Sequence, residues 1–228
     1  MSPSLSATDP ASPSAALAEG GVRLGVPLSP HTVASLVCYL QELMRWNAKV
    51  NLTGLTTERD IISKHFLDSL SAFKLIQPAP GLLRPESTLR VLDVGTGAGF
   101  PGLVLKIQAP GLAVTLLEPA QKKAAVLHHM IGLLGISGVS VLSARMEALG
   151  PGQAGPFDLV TSRAVRPELI LAEAPRLLAP GGRVLLFRAS PMEPVQPGYR
   201  LIQEASFALP FTNDPRTLTL LEPTKPSS

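Results

Sequence analysis

The 228-residue chain predicts an α/β fold with a mostly parallel, seven-stranded sheet. From residue 89 onward, apolar segments of strand length alternate with segments of helix length, a pattern typical of right-handed crossovers. The first apolar run, residues 89–94, leads into Gly95, Gly97 and Gly99, which allow the backbone to turn sharply and to approach a ligand closely. Open α/β sheets bind nucleotide-like ligands at such strand ends, so we expect a ligand site here.

Composition divides the chain into four predicted parts. Residues 1–26 are rich in Ser, Pro, Ala and Gly and are expected to form a disordered tail. Residues 27–86 are predicted to form an N-terminal helical cap, residues 87–222 the sheet domain, and residues 223–228 a frayed tail.

Two helices are predicted in the cap. Ser29 suits an N-cap position, and apolar residues three and four apart predict a helix from there to about residue 47. A second helix is expected over residues 57–76, followed by a linker over residues 78–85. His65 and Asp68 lie three residues apart in the second helix and are able to pair. On helical spacing alone, an ordinary polar contact is the favoured interpretation of this pair.

The sheet domain then follows in order. A helix is predicted after each of the first two strands and after the fourth, and the last two strands are expected to form a hairpin-like edge. The predicted strands are residues 89–94, 113–117, 139–142, 157–161, 183–187, 199–209 and 217–221, and the predicted helices are residues 101–108, 119–134 and 166–178.

Two cofactor classes compete for the glycine-rich loop. Residues 97–102 match the G-x-G-x-x-G pattern of dinucleotide sites, although a single match is a weak signal. Asp93 stands two residues before the first glycine, where we expect its carboxylate to lie in the mouth of the loop and to accept hydrogen bonds from a cationic amino group. A pyrophosphate would be repelled at that place. The sequence therefore favours S-adenosylmethionine, which has a positive amino acid end and no phosphate.

The other strand ends supply further candidates. Glu118, at the end of the second strand, is expected to contact the ribose hydroxyls of the cofactor. Met146 and Glu147 follow the third strand, where they either contact the adenine or begin a helix. Arg163 follows the fourth strand, and its position favours a site beside the reactive end of the cofactor over an ordinary salt bridge.

Composition excludes several other classes of protein. The single cysteine, Cys38, excludes an internal disulfide and fits a reducing, cytoplasmic location. We predict no metal site, and no stretch is apolar and long enough to suggest a membrane span. The net charge of +3 is compatible with nucleic acid binding without demonstrating it.

Several segments resemble one family of bacterial enzymes. Residues 45–53 (RWNAKVNLT) and 64–70 (KHFLDSL) are similar to motifs of the small-subunit ribosomal RNA methyltransferases first named glucose-inhibited division protein B, also called ribosomal RNA small subunit methyltransferase G. Three further segments resemble motifs of that family and occur in the same order along the chain: residues 93–102, Met146-Glu147 and residues 162–164. The resemblance covers residues 28–221, and its two N-terminal motifs lie outside the general Rossmann-like methyltransferase fold.

The resemblance implies transfer of a methyl group from S-adenosylmethionine to N7 of one guanine in 16S rRNA, near the decoding region. The expected partner is the rRNA or the small ribosomal subunit, and we expect the protein to be a monomer. The resemblance also implies a set of functional residues. For the cofactor, the contacts of the family carry over to Gly95, Phe100, Glu118, Pro119, Ala120, Met146, Glu147 and Arg163. The glycine loop itself adds Asp93, Gly97 and Gly99 as cofactor candidates, and the candidates for catalysis are Arg163, His65, Asp68 and Arg188.

The chain departs from the family at two places. Arg188-Ala189 stands where the family usually has lysine and glycine, so the charge is kept without the compact ammonium group. At the end of the second strand, the family often has an acid followed by serine, whereas this chain has Glu118-Pro119. We expect this difference to shift the contact with the ribose.

Guanine N7 carries a free lone pair and no proton, so methyl transfer to it needs alignment rather than a base. We expect Arg163 and Arg188 to hold phosphate or the guanine O6 edge. His65, Phe66 or Trp46 are candidates for stacking on an unpaired base. Two alternatives are a dinucleotide-dependent oxidoreductase, supported only by residues 97–102, and a non-catalytic RNA-binding protein that keeps the fold.

Overall fold

The structure of the protein is a computed structural model, which describes residues 12–77, 88–150, 154–163 and 165–224. The predicted linker over residues 78–85 and most of the predicted frayed C-terminal tail lie outside these ranges. Within them, no helix combines the length and the apolar character needed to cross a membrane.

A seven-stranded sheet forms the centre of the described fold, with strand order β3-β2-β1-β4-β5-β7-β6. Strands β1 to β5 are parallel neighbours, while β7 pairs antiparallel with both β5 and β6. The predicted Rossmann-like architecture is confirmed. The strands are β1 (Arg90–Val94), β2 (Ala113–Leu117), β3 (Val139–Leu142), β4 (Phe157–Ser162), β5 (Leu178–Arg188), β6 (Tyr199–Ala208) and β7 (Pro215–Pro223).

Helices pack on both faces of this sheet, because alternate strand residues point to opposite sides. Val91 and Leu159 belong to the larger apolar cluster, which includes the N-terminal helices, whereas Leu92 and Val160 belong to the smaller one with Ile170. The α-helices are α1 (Pro13–Leu24), α2 (Pro30–Val50), α3 (Glu58–Ile61), α4 (Asp68–Leu70), α5 (Phe73–Ile76), α6 (Gly102–Gln108), α7 (Gln121–Leu133) and α8 (Pro167–Glu173).

The N-terminal segment differs from its prediction, because α1 lies where a disordered tail was expected. Ser12 caps this helix by accepting a hydrogen bond from the backbone N–H of Ala15, and Gly25 ends it at a φ of 73°. Leu17 is completely buried, and a Cβ added to Gly20 would collide with the side chain of Leu67. The small residues that suggested disorder therefore allow close helix packing.

The second predicted helix of the cap is interrupted. A π-helix, Ile62–Leu67, separates α3 from α4, and a turn separates α4 from α5. Such wide turns are rare and occur mostly at functional sites. Helical periodicity in the sequence predicts the segment as a whole and carries no signal for the inserted turn.

The chain after β4 also differs in its boundaries. The predicted helix over residues 166–178 ends at Glu173, and Ala174–Arg176 form a 3₁₀ turn that contains Pro175. Strand β5 begins at Leu178 rather than at residue 183, because Leu178 pairs with Phe157 before a register shift brings Arg183 opposite Leu159.

Candidate active site

The glycine loop, residues 95–102, begins at the carboxyl end of β1 and leads into α6. The backbone N–H groups of Gly95 and Thr96 both donate to the carbonyl of Leu117 at the end of β2, at 2.9 and 3.2 Å. Gly95, Gly97 and Gly99 have φ angles of 68°, 62° and 108°, which side-chain-bearing residues rarely adopt. The predicted sharp turn is confirmed.

Asp93 braces this loop from inside the protein. Its Oδ2 accepts hydrogen bonds from Thr96 Oγ1 at 2.5 Å and from the Gly102 backbone N–H at 2.8 Å. The residue is completely buried and both donors belong to the loop itself, so its predicted contact with a cationic amino group stays a prediction. Two nearby donors draw the carboxylate inward, which leaves Oδ1 buried without a hydrogen-bond partner among the described residues.

Burial also alters the acidity of Asp93. Desolvation raises its pKa from 3.8 to about 6, although the hydrogen bonds from Thr96 and Gly102 favour the charged form. The Asp93 side chain therefore titrates at a higher pH than an ordinary aspartate does.

Glu118 supports the opposite side of the same loop. Its Oε2 accepts from the Gly97 backbone N–H at 2.9 Å, and its Oε1 accepts from the Ala120 backbone N–H at 3.0 Å. The side chain fixes the loop and the start of α7, so its contact with a ribose stays a prediction.

A cavity of about 200 Å³ opens beside the glycine loop. Four of the predicted cofactor residues line it: Gly95, Pro119, Met146 and Glu147. The structure thereby brings together the ends of β1, β2 and β3, as the topology predicts. Sequence reasoning missed the other lining residues, which end β1 or β2, follow β3 or β4, or lie within α8: Val94, Leu117, Ala144, Arg145, Val165, Leu169 and Ile170.

Phe100 and Gly99 pack against the N-terminal helices. The Phe100 ring stacks on Tyr39 at 5.3 Å and on His65 at 4.6 Å between ring centres, and it meets Phe66 edge-on. The Tyr39 hydroxyl donates to the carbonyl of Ala98. Sequence reasoning missed Tyr39, whose position in an apolar stripe of α2 carries no functional signal. Neither Gly99 nor Phe100 lines the described cavity, so their cofactor contacts stay predictions.

A second group of side chains, the Arg163 cluster, comprises Thr53, His65, Asp68, Arg163 and Arg216. Arg163 is its centre: Nη1 donates to the Lys64 carbonyl at 2.9 Å and lies 3.3 Å from Asp68 Oδ2, while Nη2 lies 2.7 Å from His65 Nδ1. The guanidinium carbon also lies 5.3 Å from the centre of the Phe100 ring. The cluster therefore touches the glycine loop through Phe100.

The contacts of His65 define its protonation state. A guanidinium can only donate, so His65 Nδ1 accepts from Arg163, and the neutral ring carries its proton on Nε2. Nε2 lies 2.7 Å from Thr53 Oγ1, to which it donates. Burial, followed by the charge of Arg163, lowers the pKa of His65 from 6.5 to about 3, so the imidazole is neutral at physiological pH.

Asp68 lies between two arginines. Its Oδ1 is 2.7 Å from Arg216 Nε on β7, and its Oδ2 faces Arg163 at the end of β4. Only 1% of the Asp68 side chain is exposed. Burial raises the pKa of Asp68, and both guanidinium groups act against that increase. The predicted direct pairing of His65 with Asp68 is absent from the described hydrogen bonds, because Arg163 joins the two instead.

Neighbouring motifs support the cluster. Asn47 Oδ1 accepts from the Thr53 backbone N–H at 2.8 Å, which places the Thr53 hydroxyl beside His65. The π-helix presents the Lys64 carbonyl to Arg163. The two motifs at residues 45–53 and 64–70 thus build one structure. Sequence reasoning missed Thr53 as a contact of His65, and it missed Arg216, which lies about 50 residues beyond Arg163 without any recognisable motif.

The remaining candidates lie apart from this cluster. Arg188, at the end of β5, donates through Nε to the Ser190 carbonyl at 3.1 Å, and its predicted catalytic role stays a prediction. Phe66 is completely buried, so its predicted stacking on a base is wrong. The Trp46 indole N–H donates to Glu42 at 2.9 Å. Among the residues that the structure describes, no group of His, Cys, Asp and Glu is arranged to hold a metal ion.

Comparison with protein families gives one match that spans most of the chain. Residues 32–203 match the family model described as rRNA small subunit methyltransferase G. A protein of that name from Lacticaseibacillus paracasei is 36% identical over 235 residues, covering 96% of this chain and 92% of the relative. Another from Chloroflexus aggregans is 43% identical over 164 residues, covering 71% of this chain and 66% of the relative.

Solved structures show the same fold at lower identity. TrmN from Thermus thermophilus is 22% identical with a TM-score of 0.53, covering 71% of this chain and 53% of its own. MtNAS, solved in complex with MTA and tNA, is 18% identical with a TM-score of 0.55, covering 91% of this chain and 78% of its own.

Proposed function

Because the chain belongs to the rRNA small subunit methyltransferase G family, we propose that it transfers a methyl group from S-adenosylmethionine to N7 of a guanine in the small-subunit (16S) rRNA. The names of its relatives support rRNA as the substrate. The observation that carries the choice of N7 is that His65, Asp68 and Tyr39, the titratable side chains packed around Phe100 and the Arg163 cluster, already have their lone pairs or charge engaged by the protein.

The cavity beside the glycine loop fits the cofactor. It lies at the carboxyl ends of parallel strands, its lining is mostly apolar around Met146, and Glu147 stands at its polar side. Among the described residues, Asp93 Oδ1 is a buried acceptor that no donor reaches, which suits the cationic amino group of the cofactor. When bound, S-adenosylmethionine supplies a methyl group on a positively charged sulfur.

Three titratable groups of the types that act as bases are already occupied. The one acceptor nitrogen of His65 receives a hydrogen bond from Arg163, and Asp68 is paired with two arginines. Tyr39 donates to Ala98, and burial raises its pKa well above its ordinary value. A site of this kind favours a nucleophile that needs no deprotonation.

Guanine N7 is such a nucleophile, since its lone pair lies in the ring plane and no proton leaves on methylation. The task of the protein is then to hold the guanine in line with the methyl group and to exclude water. Alignment of this kind supplies about 7–11 kcal/mol of a reaction barrier. We propose that Arg163, fixed by His65 and Asp68, sets the wall of the guanine site beside Phe100. We further propose a cytoplasmic monomer that acts on the rRNA or on the small subunit.

Incubation of the purified protein with tritiated S-adenosylmethionine and rRNA or small subunits from a strain lacking the gene tests this function. Reduction with borohydride followed by aniline cleaves RNA at N7-methylguanine, so the proposal predicts one new break in treated RNA and none in untreated RNA. Methyl transfer without that break places the methyl group on another atom and contradicts the assignment to N7.

The same assay separates the alternatives. Cofactor binding without methyl transfer to any rRNA substrate would favour a non-catalytic RNA-binding protein. Binding of NADH without binding of S-adenosylmethionine, measured by calorimetry, would favour an oxidoreductase.

A further inference from the structure

One buried carboxylate organises a group of surface side chains on α2 and α7. Glu42 Oε1 accepts from Trp46 Nε1 at 2.9 Å and from His129 Nε2 at 2.8 Å, while its Oε2 lies 3.2 Å from Arg45 Nη1. Lys49 Nζ lies 5.4 Å from the centre of the Trp46 ring. Arg45, Trp46, Lys49 and His129 are together called the Trp46 platform. A single acid thus holds an indole, an imidazole and a guanidinium in place beside a lysine.

The charge of this surface is strongly one-sided. Glu42 is the only acidic residue of α2, and α7 contains none, whereas the two helices carry Arg45, Lys49, Lys122 and Lys123. Only 9% of the Glu42 side chain is exposed, compared with 72% of Arg45 and 43% of His129. The exposed charged side chains of the two helices, which include Arg45, Lys49 and Lys122, are therefore cationic, while the acid beside them is hidden.

The platform is connected to the candidate active site on two sides. Asn47, next to Trp46, holds the Thr53 backbone and thereby the Thr53 contact with His65. Helix α7 begins directly after Pro119 and Ala120, and Pro119 lines the cavity. Lys122 and His129 are seven residues apart and share one face of α7, about 10 Å from each other. A basic strip therefore runs from the cavity to the platform.

We propose that the Trp46 platform is a second contact site for the RNA substrate, where one unpaired base stacks on the exposed part of the indole and the flanking phosphates bind Arg45 and Lys49. This inference rests on the proposed function. An aromatic ring with adjacent cations is the arrangement by which proteins hold single-stranded RNA. Prior fixation of these side chains by Glu42 lowers the ordering cost of that binding.

Steady-state methyl transfer to unmethylated rRNA tests the platform. Trp46→Leu and the double variant Arg45→Ala/Lys49→Ala are each expected to raise the KM for rRNA about tenfold, as loss of a stacked base or of phosphate contacts requires. The kcat and the Kd for S-adenosylmethionine are expected to change less than about twofold. The double variant is also expected to lower the slope of log KM against log salt concentration by about one to two.

Arg200→Ala is the matched control, because Arg200 is 68% exposed and ion-paired with Glu222, much as Arg45 is with Glu42. An equal KM change in this control, or unchanged KM in the platform variants, overturns the proposal. If the wild-type protein transfers no methyl group, the proposed function fails instead, and direct titration with fluorescent single-stranded RNA then compares the same variants.

Glu42→Gln distinguishes prior orientation from charge alone. This variant makes the protein more positive, so simple attraction predicts tighter RNA binding, whereas loss of orientation predicts a KM several-fold higher. Thermal unfolding checks that the variant is folded. If the Trp46 and Arg45/Lys49 variants lose binding to the small ribosomal subunit but keep binding to naked rRNA, the platform contacts a ribosomal protein. That result would contradict the assignment of the platform to RNA.

Discussion

The glycine loop and the Arg163 cluster meet at Phe100, yet they are held together in different ways. The loop depends on backbone N–H groups bound by Asp93 and Glu118, which lie within a segment of about 30 residues. The cluster depends on polar and charged side chains that come from the α2–α3 connection, the π-helix, α4, the end of β4 and β7. The loop is a local structure, whereas the cluster exists only once the whole sheet has formed.

This difference predicts different responses to mutation. Removing one partner of a buried ion pair leaves an uncompensated charge, which costs more than the loss of a single backbone contact. We therefore expect the cluster to respond most strongly to changes of charge and the loop to changes of backbone shape or pH.

Asp68→Ala is expected to have the largest effect on stability. Arg163 and Arg216 would then lack the carboxylate between them, so the free energy of unfolding should fall by about 3–5 kcal/mol in urea denaturation. Glu19→Ala, which breaks the exposed ion pair with Arg23, is the control and should cost less than about 1 kcal/mol. Equal costs for the two variants would mean that the cluster is not a stabilising unit.

The pH dependence of stability should have opposite signs for Asp93 in the loop and His65 in the cluster. The raised pKa of Asp93, about 6, means that the folded protein holds more protons than the unfolded chain between about pH 4 and 6. The contribution of Asp93 is therefore fully present below about pH 4 and declines as the pH rises through 6, by about 2–3 kcal/mol. For His65, the lowered pKa of about 3 gives stability that is present above about pH 6.5 and declines on acidification.

Urea denaturation of two near-isosteric variants measures these slopes. Relative to wild type, Asp93→Asn should gain stability as the pH rises from 4 to about 7. His65→Gln, which keeps an acceptor for Arg163 and a donor for Thr53, should gain relative stability as the pH falls over the same range. Parallel curves for wild type and either variant would show that the group concerned does not titrate as described.

Replacing two glycines of the loop by alanine should lower the free energy of unfolding by different amounts, both smaller than the effect of Asp68→Ala. A Cβ on Gly99 would lie 2.5 Å from Tyr39 Oη and 2.6 Å from Leu103, at a φ of 108°, whereas a Cβ on Gly97 meets no atom within 4 Å at a φ of 62°. Gly97→Ala should cost about 1 kcal/mol for its backbone angle, and Gly99→Ala about 1–3 kcal/mol more for the clash. Thermal unfolding compares them, and a reversed order would mean that α2 does not pack on the loop as described.

The same local character explains what the sequence predicts well. The mostly parallel sheet with its hairpin edge, the sharp turn after Val94 and four lining residues of the cavity follow from apolar runs, glycines and the rule for strand ends. The direction of the Asp93 side chain does not follow, because Thr96 and Gly102 compete with a ligand for the same oxygen.

Long-range packing explains what the sequence misses. Arg216 lies in an ordinary edge hairpin, and its contact with Asp68 depends on how β7 inserts between β5 and β6. Helix α1 escapes prediction because its small residues suggest disorder by composition, while their packing against Leu67 appears only in three dimensions. The π-helix likewise has no periodic signature that distinguishes it from an α-helix.

Methyl transfer to guanine N7 should rely on alignment and need no base from the protein. The pH dependence of the single-turnover rate tests this most directly. With enzyme and S-adenosylmethionine in saturating excess over the RNA, the rate of methyl transfer should be nearly constant from about pH 6.5 to 9. The reason is that guanine N7 has no proton to lose and His65 stays neutral. A rate that rises tenfold per pH unit and then levels off would reveal an essential base and contradict the account.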